Sequence, residues 1–437
     1  MMCARRLAVV FVIGLIHLDQ KVVGLESGSP GCESFNSALK PIEVPEDKIS
    51  KQREVLQRVL ACIQTGHFID LNKLLFVTNS PMGWGAVAGI MVTTYWTPLM
   101  LAINAGLYDI ARAFLHAWAD VNIRNKKGFT ATMYAAQKGN RAILNKLLAS
   151  GAAVNWKSTE GLTALNYAII WGNEKSALML IKKGAEVNND ALIDASFKGY
   201  SRLVNVLLKN GADANAQNQN GDFALHSAVN GQHKNMVSNL LKHGADVNMQ
   251  TRNGMTPLMT AAAGGNPDIL DVLLKKGARV NILSNHGNSA LMFARGDSYP
   301  CIVSALLKHG AKINQKNKDG NTALIKVASW WGHSSQVSTL LKAGADPNIK
   351  GRNGKTALMH AAGTGKAFND LLEHGAEINA QDDDGWTALM HGVQSYATNE
   401  GYIKELLKAG ADADLENKKG KTAAKIAADF GLLFKIV

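Results

Sequence analysis

The stretch GMTPLMTAAAGGNPDILDVLLKKGARVN, from Gly254 to Asn281, predicts two short helices joined by a tight turn. Thr256 followed by Pro257 is typical of a helix start, since the hydroxyl can accept an amide hydrogen bond and proline needs no N–H at the first helical position. A glycine pair after the first helix allows the chain to reverse. The second helix then has one apolar face, made of Ile269, Leu270, Val272, Leu273 and Leu274. Gly277 can take the left-handed conformation that ends this helix.

The end of this stretch recurs along the chain, and its commonest step is 33 residues, as from Asn122 to Asn155. A fixed period of this length indicates a stack of small units, each of which exposes an apolar face until a neighbour covers it. Such a stack builds an extended surface, which we expect to be the functional part of the molecule. The ten copies end at Asn122, Asn155, Asn188, Asn215, Asn248, Asn281, Asn314, Asn348, Asn379 and Asp414.

The pattern resembles the ankyrin repeat, whose signature is Thr-Pro-Leu-His-x-Ala-Ala, a glycine turn, Leu-Leu-x-x-Gly-Ala and a closing Asn. The resemblance covers roughly residues 96 to 431. It implies an all-α fold, an ankyrin-repeat solenoid of stacked helix-turn-helix units joined by β-hairpin loops. The clear copies of the first phrase are Thr97-Pro98-Leu99, Thr163-Ala164-Leu165, Thr256-Pro257-Leu258, Thr322-Ala323-Leu324, Thr356-Ala357-Leu358 and Thr387-Ala388-Leu389.

One step in the series is irregular. Asn188 and Asn215 stand only 27 residues apart. We therefore expect most of the hairpin between the third and fourth units to be missing, which predicts a notch in the row of hairpin tips.

The chain before the repeats has a different character. Residues 1 to 24 carry Arg5-Arg6, an apolar run from Leu7 to Ile16 and a short polar stretch, which is typical of a secretory signal peptide and predicts a secreted or periplasmic protein. The alternative is a buried N-terminal helix of a cytoplasmic protein. The expected organisation is a signal peptide over 1–24, a linker over 25–45, a helical cap and irregular loop over 46–95, ten repeats over 96–419 and a capping half-repeat over 420–437.

Composition and cysteine usage limit the class of protein. The chain is 46% hydrophobic and 19% charged and has no apolar run of membrane-spanning length. After removal of a signal peptide, Cys32, Cys62 and Cys301 would remain, and three cysteines do not make a disulfide framework. Export would allow Cys32 and Cys62 to pair, and whether they do stays open.

The formal net charge is +12. Many lysines stand at the ends of second helices, where they interact favourably with the helix dipole, and others fall at hairpin tips. An acidic protein or an anionic surface is therefore a reasonable partner, and we expect the chain to act as a monomer. Nucleic acid is disfavoured, because the sequence has neither aromatic platforms nor a recognition motif.

Catalytic motifs are not evident. The sequence has no Gly-x-Ser-x-Gly elbow, phosphate-binding loop or His-Glu-x-x-His helix, and we assign no catalytic, cofactor-binding or metal-binding residue. His243, His309 and His374 each precede a Gly-Ala pair, a position that favours a helix-end role over metal binding. The run from Asp382 to Asp384 suits a charged turn, with a cation site as the alternative.

The resemblance implies that a partner meets the concave side, which is made of the hairpin tips and the residues just before each helix-turn glycine. Ile170, Trp171 and Phe197 fall in consecutive units beside the missing hairpin, and we expect them to form one apolar patch. Trp330 and Trp331 form a second group. The alternative is that these aromatic side chains are core residues. The candidate protein-binding residues are Asn104, Gln137, Lys138, Ile170, Trp171, Phe197, Lys198, Trp330 and Trp331.

The predicted function is thus a non-catalytic protein-binding scaffold or adaptor. A regulatory or inhibitory subunit of an enzyme, or a secreted effector that binds host proteins, are the alternatives within the same binding class. An enzyme with an unrecognised site near Asp382-Asp383-Asp384 or in the segment 79–95 is the alternative from another class.

Overall fold

The computed structural model describes residues 96–106, 108–116, 119–295, 298–329, 334–362, 367–395 and 400–429. Within these ranges the chain forms two compact units. The first comprises 96–195 and 202–212, and the second comprises 196–201 and 213–429. The expected signal peptide, linker and cap, as well as residues 430–437, lie outside the described residues.

Short helices follow one another along the whole described chain. Up to the short step they are α1 Pro98–Ala105, α2 Tyr108–His116, α3 Ala131–Lys138, α4 Arg141–Ala149, α5 Ala164–Ile170 and α6 Glu174–Lys182. Then come α7 Asn189–Lys198, α8 Ser201–Lys209, α9 Ala224–Asn230, α10 Lys234–Lys242, α11 Pro257–Ala263, α12 Pro267–Lys275, α13 Ala290–Phe293 and α14 Tyr299–Lys308. The last are α15 Ala323–Ala328, α16 Ser334–Lys342, α17 Ala357–Ala362, α18 Phe368–Glu373, α19 Ala388–Gln394, α20 Glu400–Lys408 and α21 Ala423–Asp429.

The helix starts follow the local capping chemistry that the sequence predicts. The Thr256 hydroxyl oxygen accepts a 3.2 Å hydrogen bond from the Met259 amide, and Pro257 is the first residue of α11. Asn266 caps α12 in the same way, with 3.0 Å from the Ile269 amide to its side-chain oxygen. Each of these bonds satisfies an amide that has no partner inside its helix.

The core lies where helices of neighbouring repeats pack against one another. First helices pack on first helices, as α3 does on α5, and second helices on second helices, as α4 does on α6 and α10 on α12. Ala135 and Ala168 are fully buried, and their small side chains let the first helices approach closely. Each fully buried leucine or isoleucine contributes roughly 1.5–3 kcal/mol through the hydrophobic effect. Such residues include Leu144, Leu147, Leu165, Leu180, Leu240, Ile269, Leu273 and Leu306.

The closing asparagines link neighbouring repeats. Asn155 Nδ2 donates to the Gly184 carbonyl oxygen at 3.2 Å, and its Oδ1 accepts from the Glu186 amide at 2.8 Å. Asn122, Asn215, Asn248, Asn281 and Asn348 make the same pair of bonds with the repeat that follows each of them. At these six positions one amide side chain thereby ties a repeat to the next.

The loops between repeats are hairpin turns rather than regular β-structure. In the tip at 158–162, the Ser158 amide donates to the Leu162 carbonyl and the Gly161 amide donates to the Ser158 carbonyl, both at 2.9 Å. Within the described ranges no residue is in a β-strand. The fold is therefore all-α, and the expected β-hairpins are short turn-closed loops.

The predicted loss of a hairpin after the third repeat is confirmed. Only residues 183–188 separate α6 from α7, whereas residues 150–163 separate α4 from α5. Asn188 accordingly has a different role from the other closing asparagines. Its Oδ1 accepts from the Ala191 amide at 2.8 Å at the start of α7, and its amide pairs with that of the buried Asn166 at 3.2 Å.

Candidate protein-binding surface

The ends of the first helices carry the residues that the sequence predicts for binding. Asn104 lies in α1, Gln137 and Lys138 are the last two residues of α3, and Ile170 is the last residue of α5. Trp171 follows as the C-cap of α5, with φ −89° and ψ 8°. Because α1 packs on α3 and α3 on α5, these helix ends form a row in the first unit.

A hydrogen-bonded turn brings two of these helix ends together. Asn173 Nδ2 donates to the carbonyl oxygens of Ala136, at 3.0 Å, and Gln137, at 2.8 Å. A Cβ at Gly139 would lie 2.2 Å from Asn173 Oδ1, so the close approach of the two turns requires glycine there. The turn that carries Trp171 is therefore fixed against the end of α3.

The exposure of these side chains argues against a core role. Trp171 is 58% exposed and Ile170 39% exposed. Lys138 is also exposed, whereas Gln137 and Asn104 are partly buried. The first unit thus presents an indole and an isoleucine to solvent beside a lysine, on a fixed backbone.

Phe197 and Lys198 end α7 and are both exposed, Phe197 to 45%. In this second unit, His233 Nε2 donates to the Phe197 carbonyl oxygen at 2.9 Å. A Cβ at Gly231 would lie 2.4 Å from the same oxygen. Ile170 and Trp171 belong to the first unit and Phe197 to the second. That the three residues form one apolar patch therefore stays a prediction.

Sequence reasoning missed one exposed aromatic residue. Trp156 lies in the tip that joins α4 to α5 and is 40% exposed, with the Arg124 guanidinium carbon 4.7 Å from the ring centroid. The available signal was a tryptophan directly after a closing asparagine, a position at which the other repeats have smaller side chains such as Ile123 and Ala216. Arginine over an indole face is a favourable cation–π contact.

Comparison with known proteins agrees with this architecture. A family model for ankyrin repeats, in three copies, matches residues 60–158, 99–191, 192–284, 265–351 and 328–417, which together make up well over half of the chain. The chain belongs to the ankyrin repeat family. The crystal structure of the human ASB11 ankyrin repeat domain is 25% identical, with a TM-score of 0.46, and the match covers 50% of this chain and 99% of that chain. A search of curated proteins finds no match.

Trp330 and Trp331, which the sequence places at the equivalent position of a later ankyrin repeat, lie outside the described residues. Their part in binding stays a prediction.

The three repeated histidines have the helix-end role expected for them. The Nδ1 atoms of His243, His309 and His374 each lie within 2.9 Å of the carbonyl oxygen four residues earlier in the chain. All three are exposed at the end of a second helix. The described part of the chain contains no group of three or more His, Cys, Asp or Glu side chains placed to hold a metal ion.

Asp382 is held within the repeat structure. It is 8% exposed, its Oδ1 accepts from the amides of Asp384 at 3.0 Å and Trp386 at 2.8 Å, and its Oδ2 lies 2.7 Å from His391 Nε2. Burial lowers the pKa of His391, and the hydrogen bond to Asp382 opposes that shift. This carboxylate therefore organises its own turn, as the charged-turn interpretation expects.

The bond from Asp382 to His391 is one of a set. A tip side chain bonds the residue nine positions later at Asn125 to Tyr134, 3.1 Å, and at Ser158 to Tyr167, also 3.1 Å. Burial raises the pKa of Tyr134 to about 12, and it also raises the pKa of Tyr167. Each phenol joins its hairpin tip to the first helix that follows it.

None of the helices within the described ranges has the length and apolar character needed to cross a membrane.

Proposed function

We propose that this ankyrin repeat chain is a non-catalytic scaffold that binds a protein partner through the ends of its first helices. The family is generally one of protein–protein interaction scaffolds. The single observation that carries the proposal is Trp171, an indole left 58% exposed at the turn after α5. Exposed tryptophan beside other apolar side chains is the chemistry of binding hot spots.

The geometry favours binding because the surface is formed before the partner arrives. Asn173 holds the Trp171 turn against α3 through two backbone hydrogen bonds. A surface fixed in this way has little conformational freedom left to lose on association. The indole therefore offers apolar area at low entropic cost.

We propose further that the partner is acidic around its contact with this row. Lys138 is exposed at the helix end next to Trp171, and the whole chain carries a formal charge of +12. Opposite charges around an apolar centre accelerate association and orient the two proteins.

The test is affinity capture from the native organism with the tagged chain, run beside Trp171→Ala and Leu283→Ala. Leu283, at 38% exposure, is the matched control, because it is an exposed apolar residue in a hairpin tip of the second unit. We expect a partner that the Trp171 variant loses and the Leu283 variant retains, with unchanged thermal unfolding of both variants. Equal capture by all three forms would contradict the proposed surface, and loss of folding in Trp171→Ala would make Trp171 a stability residue.

Export is a separate proposal that rests on the sequence of residues 1–24, with its arginine pair and apolar run. Mass spectrometry of the N-terminus of the native protein tests it. Cleavage near residue 24 is the expected result, and an intact Met1 would favour the cytoplasmic alternative.

A further inference from the structure

Hairpin tips of neighbouring repeats are joined by a backbone hydrogen bond. In five tips the residue before the tip glycine offers its carbonyl oxygen to an amide of the next tip, as Lys127 does to Thr159 at 3.0 Å. The same bond joins Asn253 to Asn285, His286 to Lys318, Asn353 to Asp383 and Asp384 to Lys418. Among the described residues, the Asn220 and Asp319 carbonyls do not receive this bond. The next tip also covers the glycine, since a Cβ at Gly128 would lie 3.0 Å from the Thr159 amide nitrogen.

The tip that contains Glu160 and Gly161 differs from the other tips between Gly128 and Gly385 in that no next tip covers its glycine. Among the described residues no backbone amide donates to the Glu160 carbonyl oxygen. A Cβ at Gly161 would meet no heavy atom within 4 Å, in contrast to Gly128, Gly254 and Gly287. The cause is the short connection over 183–188, which provides no following hairpin.

The tip that contains Glu160 and Gly161 carries basic and aromatic side chains. Trp156 is 40% exposed although Arg124 of the preceding tip lies over its ring. Arg124 is fixed there by a 2.9 Å bond from Nη2 to the Lys157 carbonyl. The exposed basic residues of these two tips are Arg124, Lys126, Lys127 and Lys157, against one exposed acidic residue, Glu160.

We propose that the position beside Gly161, where the next hairpin is missing, binds an acidic turn of a partner protein, which donates a backbone N–H to the Glu160 carbonyl. The open carbonyl and the uncovered glycine specify a turn of backbone, because a hairpin turn occupies the equivalent position beside Gly128, Gly254 and Gly287. The excess of positive charge specifies acidic side chains, and Trp156 supplies apolar contact area. The site lies on the hairpin tips and not on the helix ends of the proposed function, so the two can fail independently.

The probe is a fluorescein-labelled synthetic peptide of sequence NAQDDDGWT, residues 379–387 of this chain. In its own place this tip donates the Asp383 amide to the Asn353 carbonyl at 3.0 Å, so the peptide contains both the backbone donor and the acidic side chains that the site calls for. Anisotropy with the full chain gives its affinity, in about 50 mM salt so that screening stays weak. The peptide NAQNNNGWT is the uncharged control.

Three protein variants make the test specific. Lys157→Glu and Trp156→Ala change the site at exposed positions. Lys316→Glu makes the same charge change at the equivalent position of a tip that is followed by another tip, since Lys316 Nζ itself reaches the Lys350 carbonyl at 3.1 Å. Trp171→Ala changes only the surface of the proposed function.

We expect the acidic peptide to bind with a dissociation constant below about 1 mM, about tenfold more weakly to Lys157→Glu and to Trp156→Ala. Lys316→Glu and Trp171→Ala should bind it as the unchanged chain does, and the uncharged peptide should bind more weakly. Absence of binding, equal binding to all variants, or equal weakening by Lys157→Glu and Lys316→Glu would each overturn the proposal. Circular dichroism establishes that every variant compared is folded.

Discussion

Acidification from pH 7 to pH 5 should destabilise the repeat that contains α17, through His360. The Nε2 atom of this histidine is buried and has no hydrogen-bond partner within the described residues. Burial, together with the positive charges of Lys355 and His391, lowers its pKa from about 6.5 to about 4. At pH 5 this histidine is therefore mostly neutral in the folded protein and mostly protonated in the unfolded chain.

The sign and size of the effect follow from that difference. Between pH 6.5 and pH 4 the unfolded state binds more protons, so the free energy of unfolding falls as the pH falls, and the loss levels off below the folded pKa. For a shift of this size the linkage relation gives a loss of about 2 kcal/mol between pH 7 and pH 5. The lowered pKa of His391 acts in the same direction.

Hydrogen exchange measured by mass spectrometry on the peptide 355–362 at both pH values provides the assay, after correction for the intrinsic pH dependence of exchange. We expect His360→Gln to remove most of the pH-dependent loss of protection. The control is His374→Gln, since His374 is exposed and bonds only the Asp370 carbonyl in its own helix. Equal protection at pH 7 and pH 5 in the unchanged chain, or the same pH dependence in His360→Gln, would refute the argument.

Three further substitutions test the packing of the repeats, each by urea unfolding followed by circular dichroism. Gly231→Ala should destabilise the second unit by about 1–3 kcal/mol, because the new Cβ would lie 2.4 Å from the Phe197 carbonyl oxygen; an unchanged midpoint would mean that the turn moves freely. Asn155→Ala should lower the free energy of unfolding by about 1–2 kcal/mol, because it removes the hydrogen bond to the Gly184 carbonyl and the one accepted from the Glu186 amide. A loss near zero would show that water replaces both hydrogen bonds. Leu147→Ala, at a fully buried position, should cost about 2–5 kcal/mol, and a smaller value would indicate that α4 collapses onto the cavity.

The features that the sequence predicted correctly are local ones. Thr256 and the amide it caps lie within one helical turn, so residue type alone carries the information. The same holds for His243 and the carbonyl four residues before it. The lost hairpin after Asn188 was evident from spacing, because a missing stretch of chain needs no side-chain geometry to be recognised.

The features that the sequence did not supply depend on contacts between repeats. Nothing in the residue types near Lys157 shows that its carbonyl accepts a bond from Arg124, since that contact depends on how two tips stack. The hydrogen bond between Ser158 and Tyr167 depends likewise on the path of the tip. The exposure of Trp171 could not be decided either, because a tryptophan at a helix end suits both a core and a surface.

Because of the asparagine links, whole repeats could be removed from this chain or added to it. Asn248 bonds Gly277 in the next repeat, and Asn281 bonds Gly310 in the one after. Excision of residues 249–281 would bring Asn248 to the place of Asn281, with an equivalent glycine carbonyl ready to receive its amide. The stack can thus be shortened or lengthened in steps of one period without new chemistry at the joint. Asn188 is the exception, because its amide is already committed to Asn166 within its own unit.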